Sequence, residues 1–386
     1  MHRSVVALAT VAAVATVLAA CTSAADHAEH PASPTLTPTT LPGGWQAEAL
    51  PRQLRAEVLA SDGSRVLVGG SAGAGEGREP RLLVRETRGW DGISLTPRTG
   101  YGEVAALVRL AVGPGGNVVA LGNATGGAHL LPRWTAWSGS MDGVGERPQV
   151  FETFGGPSAG GLAGVSAAPV GAVVGSWATT STRLSPAVWH EVGDRWVRRT
   201  DASGFASRGD VQALPASVTA SGDEVVVVGT ETTTDARGIR QAAIAWTTSD
   251  LTTWRRVVLG PRSGTSSGAT DVACAADGCV AAGWVGDRLA AWRLEGRDAG
   301  RLALPAIAVE PYVARAKVAY DGACTAVLAG RESRAVLTSG DLVHWARSSV
   351  PEPQVDDAVM ADGRLFVLTP DAGTALASLP DPCGRP

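Results

Sequence analysis

The side chains of this chain that could do chemistry are few and widely spaced. Its histidines outside the first thirty residues are His129, His190 and His344, each in a different stretch and none within a Ser/His/Asp arrangement, so histidine acid–base catalysis is poorly supported. There is no H-E-x-x-H, no P-loop, and no glycine fingerprint opening a helix. The Gly-rich stretches 69–77 and 155–161 read as loops, because no helical pattern follows them. One acidic pattern does recur: Glu103, Asp210, Asp271 and Asp356 each stand just before a short apolar run. If a fold gathered these four carboxylates, they would bind a cation such as Ca2+ or a basic ligand group. The plainer reading, and the favoured one, is that each accepts hydrogen bonds from its own turn. Beyond that possible Ca2+, no cofactor is expected.

The cysteines speak more clearly. Cys274 and Cys279 flank Ala-Ala-Asp-Gly, a tight hairpin loop that sets them opposite each other on adjacent strands. Cys324 and Cys383 then pair by elimination and pin the tail to the body. An even set of four in an exported chain favours disulfides over metal, since no histidine lies near either pair. Export itself is read from the first twenty residues. Arg3 supplies a positive start, and 5–17 is apolar and Ala-rich but too short to span a membrane comfortably. The run ends in Leu18-Ala19-Ala20-Cys21, which resembles the bacterial lipobox. That resemblance implies cleavage before Cys21 and a thioether-linked lipid on its sulfur, placing the chain on the extracytoplasmic face of the cell membrane. Two or three acyl chains anchor stably where one does not.

These groups must be positioned by something, and the sequence announces what. Short β-branched runs end in Gly69, Gly122, Gly175, Gly229, Gly283 and Gly330, with Thr369 in a seventh. The steps are 53, 53, 54, 54, 47 and 39 residues. Before each run lie an apolar strand and a turn such as 113–116, 221–223 or 276–278, and after it come two more strand-like segments. Four short strands per repeat predict a β-propeller, all-β, with both faces of each sheet buried. Six full units fall at 54–99, 103–152, 159–202, 210–260, 268–306 and 312–350. The tail 355–380 lacks an outer strand, while 44–51 (Gly-Trp-Gln-Ala-Glu-Ala-Leu-Pro) is an orphan one. Pairing the two predicts a seventh blade and removes two open edges.

The domain plan is therefore a signal peptide at 1–20, a lipid-bearing Cys21 with an Ala/Ser/Thr/Pro stalk over 21–43, and a propeller over 44–386. The stalk has no apolar periodicity and reads as disordered. The segments Ser249-Asp250-Leu251-Thr252-Thr253-Trp254 and Ser339-Gly340-Asp341-Leu342-Val343-His344-Trp345 resemble the Asp-box turn of sialidase-like propellers, although the usual turn Gly is absent and the spacing is one residue short. In such families the box is a folding element remote from the active site. The resemblance leaves two functions open. One is a monomeric, membrane-anchored module that binds an extracytoplasmic protein, peptide or glycan. The other is a sialidase-like glycoside hydrolase, which needs converging arginines and a Tyr–acid pair from Tyr101, Tyr312 or Tyr320. The absence of a recognisable catalytic set favours the first. A net charge of −4 with no basic stripe argues against nucleic acid.

Overall fold

A computed structural model describes residues 39–384, apart from 88, 125–131, 169–170, 181–182, 194, 201, 237, 262–263, 331–332, 353 and 371–374. The export signal, Cys21 and most of the stalk lie outside the described residues, as do His129 and Asp194. The chain forms seven separate sheets, each built on a meander of consecutive strands; blade 2 adds Leu95–Thr96 as a fifth strand, paired parallel to Gly143–Glu146. The innermost strands are Leu54–Ser61, Ala106–Val112, Ala159–Ser166, Val211–Ser221, Ser267–Ala275, Lys317–Tyr320 and Asp357–Ala361. Each touches the next in a closed ring, the last returning to the first. This is a seven-bladed β-propeller. The blades match the sequence units closely. The innermost strands begin where the acidic residues were noted, except that Asp271 lies inside its strand and Glu103 in a short helix, Gly100–Glu103. Among the described residues no helix is long and apolar enough to cross a membrane.

Closure follows the orphan-strand expectation. Gln46–Ala47 pairs antiparallel with Leu376–Pro380 as the fourth strand of blade 7. Thr39–Thr40 then pairs with Gln46–Ala47 and adds a fifth strand, so the sheet extends into the segment expected to be stalk. Trp45 is fully buried, and its indole N–H donates to the Ser349 carbonyl of blade 6 at 3.0 Å. Glu48 reinforces the seam. It accepts from Ser378 at 2.6 Å and pairs with Arg85 of blade 1 at 3.3 Å and Arg364 of blade 7 at 3.7 Å. Both guanidiniums also lie over the Phe366 ring.

The core is a ring of slabs between sheets, as the runs of small apolar residues require. One hydrophobic cluster fills each blade-to-blade interface, for example Val58, Leu67, Leu107 and Trp137 between blades 1 and 2. The seventh joins Leu59, Val66 and Val68 of blade 1 to Phe366 and Leu376 of blade 7. The equivalent third-strand tryptophans Trp137, Trp189, Trp246 and Trp292 are the largest wedges.

The recurrent glycine has a specific cause. In blades 1 to 5 the innermost strand carries a bulge, one extra residue that pushes its backbone toward the second strand. A Cβ on Gly229 would sit 2.1 Å from the Leu214 carbonyl oxygen, and one on Gly283 2.0 Å from that of Gly268. Only glycine fits there. In blade 1 the crowded residue is Gly70, one beyond the repeat position. Blades 6 and 7 pair without a bulge; Gly330 of blade 6 is still crowded, where a Cβ would lie 2.1 Å from the Arg315 carbonyl oxygen, whereas blade 7 carries Thr369 at this position.

Both cysteine pairings form, Cys274–Cys279 and Cys324–Cys383. The second ties the tail beyond blade 7 to the inner hairpin of blade 6.

Candidate functional site

The bulges decide what faces the axis. Just past each bulge, at one equivalent level, stand Val58, Arg109, Gly164, Ser217 and Asp271. The first inner-strand residues of blades 6 and 7, Lys317 and Asp357, complete the level. The hydrogen bonds run from blade to blade. Arg109 donates to the Ala163 carbonyl of blade 3 at 3.2 Å. Asp271 accepts from the Ser217 hydroxyl of blade 4 at 2.8 Å and from the Val318 amide of blade 6 at 3.1 Å. Lys317 pairs with Asp357 at 3.6 Å, and Asp357 accepts from the Leu59 amide of blade 1 at 2.9 Å. Two cations and two carboxylates thus fill the axis, and the charges balance.

Burial acts on Lys317, Asp271 and Arg109, and their neighbours decide the outcome. Burial alone would depress the Lys317 ammonium, but Asp271 and Asp357 outweigh it and hold the amine above its ordinary range. Asp271 faces one ammonium and one like charge, so burial prevails and pushes its carboxyl up. Burial likewise lowers Arg109, although a guanidinium keeps its charge in proteins.

Of the four acidic residues singled out in the sequence, the structure brings only Asp271 to this level. Glu103 is exposed and lines a shallow groove with Glu79, Leu95 and Pro97 on the flank of blade 1. Asp210 is exposed in a tight turn before Val211. Asp356 precedes Asp357 and donates its amide to Leu368. The axial carboxylate of blade 7 is the neighbour, Asp357. Among the described residues no three His, Cys, Asp or Glu side chains are grouped to hold a metal ion.

The described histidines stand apart from one another. Burial and Arg199 hold His190 below its ordinary range. His344 is exposed and bonds through Nδ1 to Asp341 at 2.8 Å. Tyr320 donates to Asp277 at 2.6 Å, with Arg293 3.6 Å from the same carboxylate. Burial and that hydrogen bond push the phenol well above its ordinary range, the wrong direction for a nucleophile.

Two outer turns repeat one geometry. Thr248 and Ser339 hydroxyls accept from the amides of Leu251 and Leu342 at 3.0 and 2.8 Å. Asp250 and Asp341 each accept two following amides at 2.8 Å. Both leucines take positive φ, 58° and 63°. The amides of Thr253 and Thr252 hold Asp250 well below the usual carboxylate range.

A second locale lies on the face where the innermost strands begin. Tyr101, Arg133, Trp134, Gln149, Phe151 and Phe154 line a cleft of about 330 Å3 between blades 2 and 3. Its walls are built rigidly. Glu146, 1% exposed, accepts the amides of Arg98 and Thr99 at 2.6 and 2.8 Å and the Thr99 hydroxyl at 2.6 Å. Thr99 caps the helix Gly100–Glu103 that carries Tyr101, accepting from Gly102 at 3.0 Å. A Cβ on Gly102 would lie 2.1 Å from the Glu146 carboxylate, so this loop needs glycine there. On the other wall the Trp189 indole donates to Thr153 at 2.7 Å and Phe154 packs 5.4 Å from the Trp189 ring. Phe151 is held over Gly155, where any side chain would collide with its ring. The Arg133 guanidinium lies 4.2 Å above Phe151 and 5.9 Å from Tyr101. It forms no ion pair among the described residues.

Comparisons with known proteins return folds. No family model and no curated protein matches the chain. Several solved structures are similar to it. The β-propeller domain of the Trilobed protease from Pyrococcus furiosus aligns with a TM-score of 0.49 at 8% identity, covering 88% of this chain and 100% of that domain. The Pyrococcus horikoshii acylaminoacyl peptidase gives 0.48 at 9%, covering 82% of this chain and 49% of the peptidase. This chain therefore spans about half the peptidase's length. A Hadza microbial sialidase gives 0.42 at 11%, covering 84% of this chain and 65% of the sialidase. Identity this low transfers neither substrate nor activity.

Proposed function

We propose that this chain is an exported, lipid-anchored propeller that binds a ligand outside the membrane without transforming it. The observation that carries the binding reading is the cleft between blades 2 and 3. It is concave, walled by four aromatic rings, and contains one guanidinium that no carboxylate answers among the described residues. That combination, an apolar hollow with a few directed polar groups, is the ordinary form of a ligand site. The axis supports the same reading by contrast: its charges are satisfied between blades, so a ligand entering there would have to break paired groups.

The anchor rests on the lipobox resemblance at Cys21, with the propeller carried on the residues that follow. Growing cells with an alkyne-bearing palmitate and fractionating them tests this part. Wild type is expected to carry the label in the membrane fraction, and Cys21→Ser to lose both label and membrane retention. A soluble, unlabelled wild type would reject the anchor.

The binding part is tested by calorimetric titration of the purified propeller with N-acylated amino acids, short peptides and monosaccharides, for wild type and Phe151→Ala. Saturable heats that Phe151→Ala abolishes are expected. Turnover of a fluorogenic sialoside by the wild type would instead favour the hydrolase reading. Tyr320, which donates to Asp277 at 2.6 Å, does not line the cleft, so the cleft gives that reading no Tyr–acid pair among the described residues.

A further inference from the structure

We propose that the cleft between blades 2 and 3 takes an N-acylated α-amino acid with an apolar side chain, as presented by the free C-terminus of a polypeptide. The inference rests on the cleft being the binding face, as above, and names the ligand's chemistry. Of the six lining residues, four are aromatic: Tyr101, Trp134, Phe151 and Phe154. The other two are Arg133 and Gln149, and each has a polar atom out of solvent with no hydrogen-bond partner among the described residues, Arg133 Nε and Gln149 Oε1. The Gln149 amide nitrogen is already spent on the Trp134 carbonyl at 2.9 Å, which fixes the side chain's orientation and leaves its oxygen as a pure acceptor.

The cleft therefore offers one cation and an aromatic wall, with one amide acceptor, the Gln149 oxygen, just beneath its surface and reached only as the side chains over it move aside. A peptide C-terminus has the matching set: a carboxylate for Arg133, a backbone N–H for Gln149, and an apolar side chain for the rings. A monosaccharide fits less well, because its several hydroxyls would be desolvated against a wall with only two polar groups to receive them. The guanidinium lies 4.2 Å from the Phe151 ring centroid, and this contact restrains the N–H fork before a carboxylate arrives. An orphaned buried polar atom is costly, and a ligand that supplies the missing partner gains what the free cleft forgoes. Tyr101 and Phe151 are 48% and 39% exposed, and Val150 beside them 68%, so the rim is open to a chain continuing outward.

The test uses the intact propeller and four probes: N-acetyl-phenylalanine, its carboxamide, the tetrapeptide Ala-Ala-Ala-Phe, and N-acetylglucosamine. Affinity is read by calorimetry, with circular dichroism and melting curves showing that each variant folds. The acid is expected to bind at least tenfold more tightly than the amide. Arg133→Met is expected to abolish that preference while leaving amide binding unchanged, and Gln149→Leu to weaken both. The tetrapeptide is expected to match or exceed N-acetyl-phenylalanine. If it binds markedly more weakly, the polypeptide source is wrong and a free acyl amino acid is the occupant. Equal binding of acid and amide, or an Arg133→Met variant that still discriminates, overturns the proposal. Binding of N-acetylglucosamine alone, lost in Phe151→Ala, overturns the ligand class but leaves the cleft as the binding face. Silence of all four probes with folded wild type overturns both.

Discussion

Replacing Trp45 by alanine removes the wedge that lets the first strand finish the last blade. The residue is fully buried among Ala326, Leu328, Val336, Val350, Val355, Leu365 and Val367, and its indole N–H serves the Ser349 carbonyl at 3.0 Å. Truncating a buried tryptophan costs about 3–5 kcal/mol through lost burial and the cavity left behind. An unpaired carbonyl adds about 1 kcal/mol, for a total of about 4–6 kcal/mol. At roughly 2 °C per kcal/mol, the lower end for large domains, the melting temperature should fall by about 8–12 °C. Trp45→Phe keeps most of the packing and loses only the hydrogen bond, so about 1–2 kcal/mol is expected. Urea unfolding followed by circular dichroism measures both variants. Limited proteolysis should cut Trp45→Ala within 44–53 under conditions that spare the wild type. If Trp45→Ala unfolds within about 1 kcal/mol of wild type, the strand does not hold the ring shut and the closure argument is wrong.

Three other outcomes follow from particular contacts. Lys317→Met strands Asp271 and Asp357 at the axis. Its side chain and that of Asp357 are 24% and 20% exposed, so the loss should fall somewhat below the full buried-pair cost, at about 2–4 kcal/mol. Adding Asp357→Asn should recover part of it, and a neutral Lys317→Met would mean the axial charges contribute nothing. Asp250, whose carboxyl is held low by two amides, contributes stability that is present above the ordinary carboxylate range and fades as the pH falls through and below it. The melting gap between wild type and Asp250→Asn should therefore be widest near neutrality and close in acid; a gap independent of pH contradicts this. Cys383→Ser opens a loop of sequence separation 59, and Cys279→Ser one of 5. Chain entropy then expects losses of about 4 and about 2 kcal/mol, measurable by urea unfolding, and the reverse order would contradict it.

The propeller was legible because its cause repeats. At most blades the backbone beside the second strand leaves room only for glycine, as at Gly70, Gly175, Gly229, Gly283 and Gly330, and at Gly122 the Thr135 hydroxyl crowds the position instead, so the glycines recur at the blade period even though little else does. The seam was legible because Trp45 heads an outer strand that has no sheet of its own in the sequence. The axial level was not. Val58, Arg109, Gly164, Ser217, Asp271, Lys317 and Asp357 share a position and no residue type, so nothing in composition marks them. In blades 1 to 5 the bulge also breaks the alternation by which strand faces are read; in blade 7, which has no bulge, two adjacent acids precede Ala358 and the sequence does not distinguish Asp356 from the axial Asp357. The cleft was equally hidden. Its six residues come from 101, 133–134 and 149–154, joined only when blades 2 and 3 stand side by side. The one available signal was the exposed, aromatic-bearing connections at Tyr101 and 150–154, where propeller faces carry recognition. Thr39–Thr40 escaped notice because two threonines in a Pro/Thr tract carry no apolar pattern.

Recognition at the cleft rather than along the axis is the claim on which the functional account turns. Hydrogen exchange read by mass spectrometry, on the intact protein with and without saturating N-acetyl-phenylalanine, locates the contact directly. Protection confined to 97–105 and 147–158 is the result expected. Protection instead along the inner strands at 106–112, 267–275 and 357–361, with the cleft loops unchanged, would move the site to the channel and contradict the account.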